Sequence, residues 1–204
     1  IQDKLLGVMA HPKYLDGRAE ELRQALKLPE TVSNNSKKVT ILTELGSVLY
    51  MAKDLDNAFG ALNEAVLLQK DLNDEAGMGR NYGNIGSILL EKNDLPGAEE
   101  AFSKAIGIKE RLRDNQGLAE LYGHLGNVLL MQNKLELSDK TMKKGLKLNE
   151  TQKNKHGLVV DYRNLGNLSL QQTNWAMAER YYTQALKLSK ELGFKTEIAE
   201  DYRN

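Results

Sequence analysis

The sequence contains no cysteine, which excludes disulfide frameworks, thiolate metal sites and cysteine nucleophiles. It also has no run of about 18 apolar residues, so we predict no membrane-spanning helix. The 28 basic and 28 acidic residues give a net charge of zero, which disfavours nucleic acid as a partner. The missing cysteines leave the compartment open, and a cytoplasmic location is our expectation.

Proline and strand patterns are scarce as well. The chain has 3 prolines in 204 residues, so long stretches are free to be helical. No sustained alternation of apolar and polar residues indicates a β-strand. The apolar fraction of 41% is that of an ordinary globular chain. Because prolines are few and strand patterns are missing, we expect its fold to be all-α.

The chain repeats itself at a spacing of 40 residues. Tyr82 begins the segment Tyr-Gly-Asn-Ile-Gly, which recurs as Tyr-Gly-His-Leu-Gly at Tyr122 and as Tyr-Arg-Asn-Leu-Gly at Tyr162. Tyr202 begins another copy, and the earlier segment 42–46 keeps the apolar and glycine positions. Self-similarity at a fixed period of this length indicates a repeat architecture.

Each repeat is predicted to form two helices, A and B. In the third repeat, apolar residues recur at helical spacing over 77–92 and again over 95–113. Asp94 is a suitable N-cap for the second of these helices, and Asp54 and Asn174 occupy the same place in other repeats. We predict a single array over 1–204, with units at 1–37 (degenerate), 38–77, 78–117, 118–157 and 158–197 and the start of another at 198–204.

Small residues form columns at the same period. Gly46, Gly86, Gly126 and Gly166 lie inside helix A, where each glycine costs about 1 kcal/mol relative to alanine. A shared benefit must offset this cost, and close approach of helix B is the benefit we predict. The alanine columns of helix B, such as Ala58, Ala98 and Ala178, are expected to form the other half of that contact.

The order of these columns resembles the signature of the tetratricopeptide repeat (TPR). Helix A carries an aromatic residue followed by Leu-Gly, as at Tyr162–Gly166, and helix B carries Ala, Phe or Tyr, and Ala. The 40-residue period, against about 34 in the common repeat, resembles the longer variant of Pins-type regulators of heterotrimeric G-protein signalling and of bacterial signalling arrays. The resemblance covers almost the whole chain and implies a right-handed superhelical solenoid of antiparallel helix pairs.

The resemblance also implies that helix A lines a concave face. Polar helix A positions that lie off the packing face are then the candidates for binding. Many are amides or Arg, which can hydrogen-bond a peptide backbone and pair with carboxylates. The candidate peptide-binding groove residues are Glu44, Arg80, Asn84, Ser87, Glu120, His124, Asn127, Arg163, Asn164, Asn167, Arg203 and Asn204.

Two interpretations of this polar stripe stay open. It binds an extended, acidic peptide anchored near Arg163 and Arg203, or it is a solvated helix face. The basic stretch 134–155 is most simply a solubilising face, with a weak phosphate or membrane-surface contact as the alternative. Trp175 falls in the column of Leu55, Leu95 and Leu135 and is predicted to pack.

No pattern in the sequence indicates catalysis. The three histidines lie far apart and no pair has i,i+4 spacing, so we predict no histidine metal site, and no cofactor. The glycines near Gly77 lack both the spacing and the preceding strand of a nucleotide-binding loop. We therefore expect a chain that is not an enzyme.

The predicted function is a protein-interaction scaffold that binds an extended peptide or a partner helix in the concave groove. The alternative is the sensory or regulatory region of a larger signalling enzyme or transcription regulator. The sequence begins without Met and stops inside a repeat, so we expect it to be cut from a longer protein. A repeat cut in this way exposes an apolar end, and self-association through such ends is a further expectation.

Overall fold

The computed structural model describes residues 11–115 and 117–193, and these residues contain helices and no strand. The helices are α1 (Pro12–Lys27), α2 (Pro29–Val32), α3 (Asn35–Met51), α4 (Leu55–Asp71), α5 (Glu75–Glu91), α6 (Leu95–Leu112), α7 (Leu118–Met131), α8 (Leu135–Gln152), α9 (Lys155–Gln171) and α10 (Trp175–Leu192). They form two compact units, the first ending at Ile108 and the second beginning at Lys109. The bounds of α5 and α6 confirm the two helices predicted for the third repeat within about two residues.

The first unit is built from successive helix pairs. Helix α3 packs on α4, α4 on α5, and α1 on α3. Leu42, Leu62 and Ile88 are among the buried residues of its core, at 2%, 0% and 0% exposure. Leu15 and Leu22 of α1 are also buried in this core, so α1 packs as part of the first unit.

The second unit repeats the same arrangement. Helix α7 packs on α8, α8 on α9, and α9 on α10. Its core includes Met142 of α8 with Leu165 and Leu168 of α9, all at most 2% exposed. Within each unit, the helix pairs named here therefore pack in sequence order, as expected for a repeat array whose units cannot bury an apolar face alone.

The helix A glycines face a bulky side chain of helix B as well as the alanine column that we expected. A Cβ atom added to Gly86 would lie 2.7 Å from the ring of Phe102, and one added to Gly166 would lie 2.7 Å from the ring of Tyr182. Leu62 and Met142 fill the same space opposite Gly46 and Gly126. At Gly46 the added Cβ would also lie 3.4 Å from Ala58 O, so both kinds of column contribute to the close approach of helix B.

A residue with positive φ follows the end of a helix every 20 residues from 53 to 193, which is half the repeat period. Lys53, Asn73, Asn93, Arg113, Asn133, Lys153 and Thr173 all have φ between 54° and 64°, and Gly193 follows at 72°. At each, the next backbone N–H reaches back five residues, as from Asp54 N to Leu49 O at 2.9 Å. This is the Schellman geometry that closes a helix with one left-handed residue.

Thr173 is the least suitable of these left-handed residues, because a β-branched side chain at φ 56° is strained. Two other repeats place Asn at this end of helix A, Asn93 and Asn133, and Asn tolerates this conformation. We expect Thr173→Asn to raise the free energy of unfolding by about 1 kcal/mol, as measured by urea denaturation. Lys153→Asn, at the left-handed residue that follows α8, has no β-branched side chain to remove, so it is the control and should change stability less. A Thr173→Asn variant no more stable than the parent would contradict the strain argument.

The capping predictions are confirmed in two of three cases. Asp94 accepts from Gly97 N at 3.0 Å, and Asn174 accepts from Met177 N at 3.2 Å. Asp54 makes no such bond; its carboxylate instead accepts from the Asn57 side chain at 2.8 Å. The Asp54 side chain therefore bonds Asn57, in the first turn of the helix, instead of capping the helix.

The packing prediction for Trp175 is wrong, because its side chain is 67% exposed. Leu135, in the same column, packs against the cluster of Met142, Leu165 and Leu168, which includes the following helix A. The positions where the helix A after Trp175 is predicted, from 198 onward, lie outside the described residues. Among the described residues, the helix A that follows Leu135 is what covers this column position.

Candidate functional site

The second unit contains a cavity of about 590 Å³. We call it the second-unit cavity. Helices α7, α8 and α9 and the turn before α9 supply its lining. The polar lining residues are Glu120, His124, Asn127, Asn149, Gln152, Asn154, His156, Asp161 and Asn164.

Small residues keep this cavity open. Gly123 and Gly157 belong to its lining. A Cβ atom at Gly157 would lie 2.4 Å from Asn149 Oδ1, so any other residue would displace the Asn149 side chain. Asn149 is 3% exposed and donates through Nδ2 to Asp161 Oδ2 at 2.6 Å. The glycine in the first turn of α9 thus lets α8 place a buried amide against the carboxylate of α9.

Asn154 completes this buried network. Its Nδ2 donates to Asn149 Oδ1 at 2.8 Å, and its Oδ1 caps α9 by accepting from Gly157 N at 3.1 Å. The residue that starts the helix therefore also fixes the amide of Asn149, and through it one oxygen of Asp161. The hydrogen-bond network is therefore fixed by a residue at the start of a helix and not by a mobile surface side chain.

Asp161 and Glu120 are the two acidic groups of the cavity, and their environments differ. Asp161 is 4% exposed, and burial raises its pKa to about 6. The hydrogen bond from Asn149 acts to lower this pKa, and the negative charge of Glu150 acts to raise it. Glu120 lies 3.5 Å from His124 Nε2, and the hydrogen bond from His124 lowers its pKa. Glu120 is therefore paired, while Asp161 is a desolvated carboxylate that hydrogen-bonds an amide.

The first unit has an equivalent cavity, whose lining residues lie 80 positions earlier in the sequence. Its cavity of about 510 Å³ is lined by Gln69, Asp74 and Asn81, which correspond to Asn149, Asn154 and Asp161. Asn81 donates through Nδ2 to Gln69 Oε1 and to Thr43 Oγ1, both at 3.0 Å. Its Oδ1 is buried without a hydrogen-bond partner. An amide thus replaces the carboxylate of Asp161 in the first-unit cavity.

Four of the predicted groove residues come together in the second-unit cavity, and all are in α7 or α9. They are Glu120, His124, Asn127 and Asn164. Asn164 is 8% exposed and its Oδ1 accepts from Asn127 Nδ2 at 3.3 Å, so the two amides of neighbouring repeats are in contact. Arg163 is half-buried and does not belong to the lining, and Asn167 is exposed and accepts from Tyr182 OH at 2.5 Å.

The predicted residues of the first unit are more dispersed. Arg80 lines the first-unit cavity, whereas Asn84 and Ser87 line a separate space of about 160 Å³. Glu44 is exposed and accepts from Arg18 Nε at 2.9 Å, so an ion pair with α1 already engages it. Arg203 and Asn204 lie outside the described residues.

The sequence prediction missed the buried members of the site. Asn149, Asn154 and Asp161 were not singled out, because only exposed helix A positions were considered. The column containing Ile41, Asn81, Leu121 and Asp161 alternates apolar and polar residues at a packing position. Such a polar residue in an apolar column is the signal that identifies them, since a buried polar group needs a specific partner.

Neither a metal cluster nor a membrane-crossing helix is found in the part of the chain that the structure describes. Residues 11–115 and 117–193 contain no group of three or more His, Asp and Glu side chains that could hold a metal ion. No helix among them is long and apolar enough to cross a bilayer.

Comparison with known proteins gives matches in both sequence and structure. Residues 79–111 and 119–152 match the family model of the tetratricopeptide repeat. MamA has a similar structure, with a TM-score of 0.69 and 19% identity over 89% of this chain and 92% of that chain. No curated protein matches the chain significantly.

Two further structures cover still more of this chain. Aspartyl phosphate phosphatase F from Bacillus subtilis has a TM-score of 0.81 and 15% identity over 92% of this chain and 51% of that one. A putative kinesin light chain from Podosopora anserina with nearly identical TPR-like repeats has a TM-score of 0.77 and 12% identity over 94% of both chains. At these identities the likeness concerns the fold, which is an all-α TPR solenoid. Residues 79–111 and 119–152 are thus tetratricopeptide repeats, and the fold of the chain is that of a TPR array.

Proposed function

We propose that this chain is a protein-interaction scaffold, a role that its TPR fold supports. It binds an extended peptide segment of a protein partner along helix A, with the second-unit cavity as the main contact. A non-catalytic role and a cytoplasmic location belong to the same proposal. The observation that carries it is the convergence of four predicted groove residues on one cavity.

The chemistry of the cavity supports a peptide. Its volume of about 590 Å³ lies within the range of ligand pockets, about 300–1,000 Å³. Asn127 and Asn164 each carry both a donor and an acceptor group, which suits the alternating N–H and C=O groups of an extended backbone. Because both lie on rigid helices, little ordering is needed when the peptide binds.

The acidic character predicted for the peptide depends on residues outside this cavity. Arg163 is the described cation nearest in sequence to Asn164, and Arg203 lies outside the described residues. An acidic residue of the partner would therefore contact the Arg163 side of α9. Self-association through repeat ends stays part of the proposal, supported by the exposure of Trp175.

A displayed library of random peptides tests the binding mode. We expect the chain to select peptides whose affinity falls at least about tenfold, or 1.4 kcal/mol, in the double variant Asn127→Ala, Asn164→Ala. The matched control changes two exposed lysines of α8 and α10, Lys147→Ala and Lys187→Ala, and should bind as the parent does. Circular dichroism would establish that both variants fold. Equal binding by all three proteins would exclude the cavity as the peptide site.

The second candidate is a sensory region of a larger regulatory protein. It is favoured by the similarity to aspartyl phosphate phosphatase F, of which the chain spans about half. In this case the peptide would act as a signal for another domain. Peptide binding that alters the activity of adjoining domains in the full-length gene product would favour this candidate over a simple scaffold.

A further inference from the structure

We propose that the second-unit cavity selects a lysine or arginine side chain of the bound segment, which pairs with Asp161 and Glu120. This inference rests on the peptide-binding function proposed above and assigns one residue of the ligand. The sequence alone favoured an acidic peptide, so the inference adds a specific basic position to that prediction.

The charges of the cavity are the first argument. Its acidic members are Glu120 on α7 and Asp161 on α9, and no Lys or Arg occurs among the described residues that line it. Glu150 of α8 adds further negative charge, since it raises the pKa of Asp161. The remaining titratable groups of the lining are His124 and His156, of which His124 is placed 3.5 Å from Glu120. At neutral pH the lining therefore has an acidic bias.

The geometry of Asp161 is the second argument. The hydrogen bond from Asn149 engages Oδ2, and Asp161 belongs to the cavity lining although the residue is 4% exposed. Burying a carboxylate without a cation is costly, and a partner charge in a desolvated site offsets that cost. A guanidinium or ammonium group entering the cavity would supply the missing charge and donate to the carboxylate.

The first unit provides an internal comparison. Asn81 takes the place of Asp161 there, and it is buried at 0% exposure beside Gln69, as Asp161 is beside Asn149. The same backbone site thus accepts a neutral amide in a folded repeat. A carboxylate is not required for this packing, which points to recognition as the reason for Asp161 in the second unit.

Peptide selection on the parent and on Asp161→Asn tests the inference. The substitution copies the residue of the first unit and should leave the fold intact, as checked by circular dichroism. We expect peptides selected by the parent to carry Lys or Arg at one position and to bind Asp161→Asn at least about tenfold more weakly. The same peptides with norleucine at that position should bind both proteins alike.

The outcomes separate this inference from the proposed function. Peptides that depend on Asn127 and Asn164 but show no basic preference, or keep it in Asp161→Asn, would overturn the inference alone. A preference for a free amino terminus over an internal Lys or Arg would also overturn it. Failure to select any peptide that depends on these amides would overturn the proposed function.

A small probe tests the cation site without a peptide. N-acetyl-arginine methylamide, added to a chain labelled with ¹³C at the aspartate carboxyl carbons, should shift the Asp161 signal and lower its apparent pKa by at least half a unit. N-acetyl-norleucine methylamide is the neutral control and should leave the titration unchanged. If both compounds have the same effect, or neither has any, the cavity does not recognise a cation.

Discussion

Gly86→Ala is expected to lower the free energy of unfolding by about 2 kcal/mol, the largest effect of any single methyl group we predict. The added Cβ would lie 2.7 Å from Cδ1 and Cε1 of Phe102, whose side chain is 0% exposed. The ring cannot turn away without disturbing the core between α5 and α6. Overpacking therefore outweighs the helical preference of alanine, which is about 1 kcal/mol in the opposite direction. Urea denaturation followed by circular dichroism measures the difference.

Gly107→Ala is the matched control. Gly107 also lies inside a helix, α6, but nothing lies within 4 Å of the added Cβ position. Without a clash, alanine should stabilise the helix by up to about 1 kcal/mol. The two substitutions are chemically identical, so opposite signs would assign the effect at Gly86 to its contact with Phe102. Destabilisation of similar size at both positions would contradict that assignment.

A double-mutant cycle identifies the contact directly. Phe102→Ala removes the ring that the new methyl group meets, and this truncation alone is expected to cost about 3–5 kcal/mol. In this background Gly86→Ala should be neutral or stabilising, because the space is open. The resulting coupling between the two positions should exceed about 2 kcal/mol. Additive effects would mean that the methyl group clashes elsewhere.

The repeat pattern is what made most of the fold predictable from the sequence. A residue type that returns every 40 positions identifies its column before any contact is known. The helix bounds around Leu95 and the burial of Leu15 followed from these columns. The partner of each glycine did not, since a column shows that a position is constrained but not which column lies opposite. Only the structure pairs Gly86 with the ring of Phe102.

The candidate site was predictable in part for a related reason. His124 and Asn164 could be placed on one face because they share the helix A register. Asp161 was not among the predicted residues, because its column holds Ile41 and Leu121 in other repeats. Its partner Asn149 lies in the preceding helix B, and the contact depends on the absence of a side chain at Gly157. The column shows Asn81 and Asp161 as polar exceptions, but it does not show which residue of helix B each one contacts.

Asp161 should make the protein less stable at neutral pH than it would be with a neutral residue there. Its folded pKa is about 6, above the ordinary value of 3.8, because burial disfavours the charged form. The folded state thus binds the proton more tightly than the unfolded state, and stability falls as pH rises from about 4 to about 6. From about 1.4 kcal/mol per pKa unit, we expect a full penalty of about 3 kcal/mol above pH 6.

Comparison of the parent with Asp161→Asn isolates this penalty from the other titrating groups. Every other ionisable group is present in both proteins, so its contribution largely cancels in the difference. At pH 7.5 the variant should be more stable by about 3 kcal/mol, and at pH 4 the difference should fall below about 1 kcal/mol, because Asp161 of the folded protein is then protonated. A stability difference that does not change between these pH values would contradict the raised pKa. A pH-dependent gain would mean that the repeat retains a destabilising carboxylate, as expected for a group positioned to bind a ligand and not to support the fold.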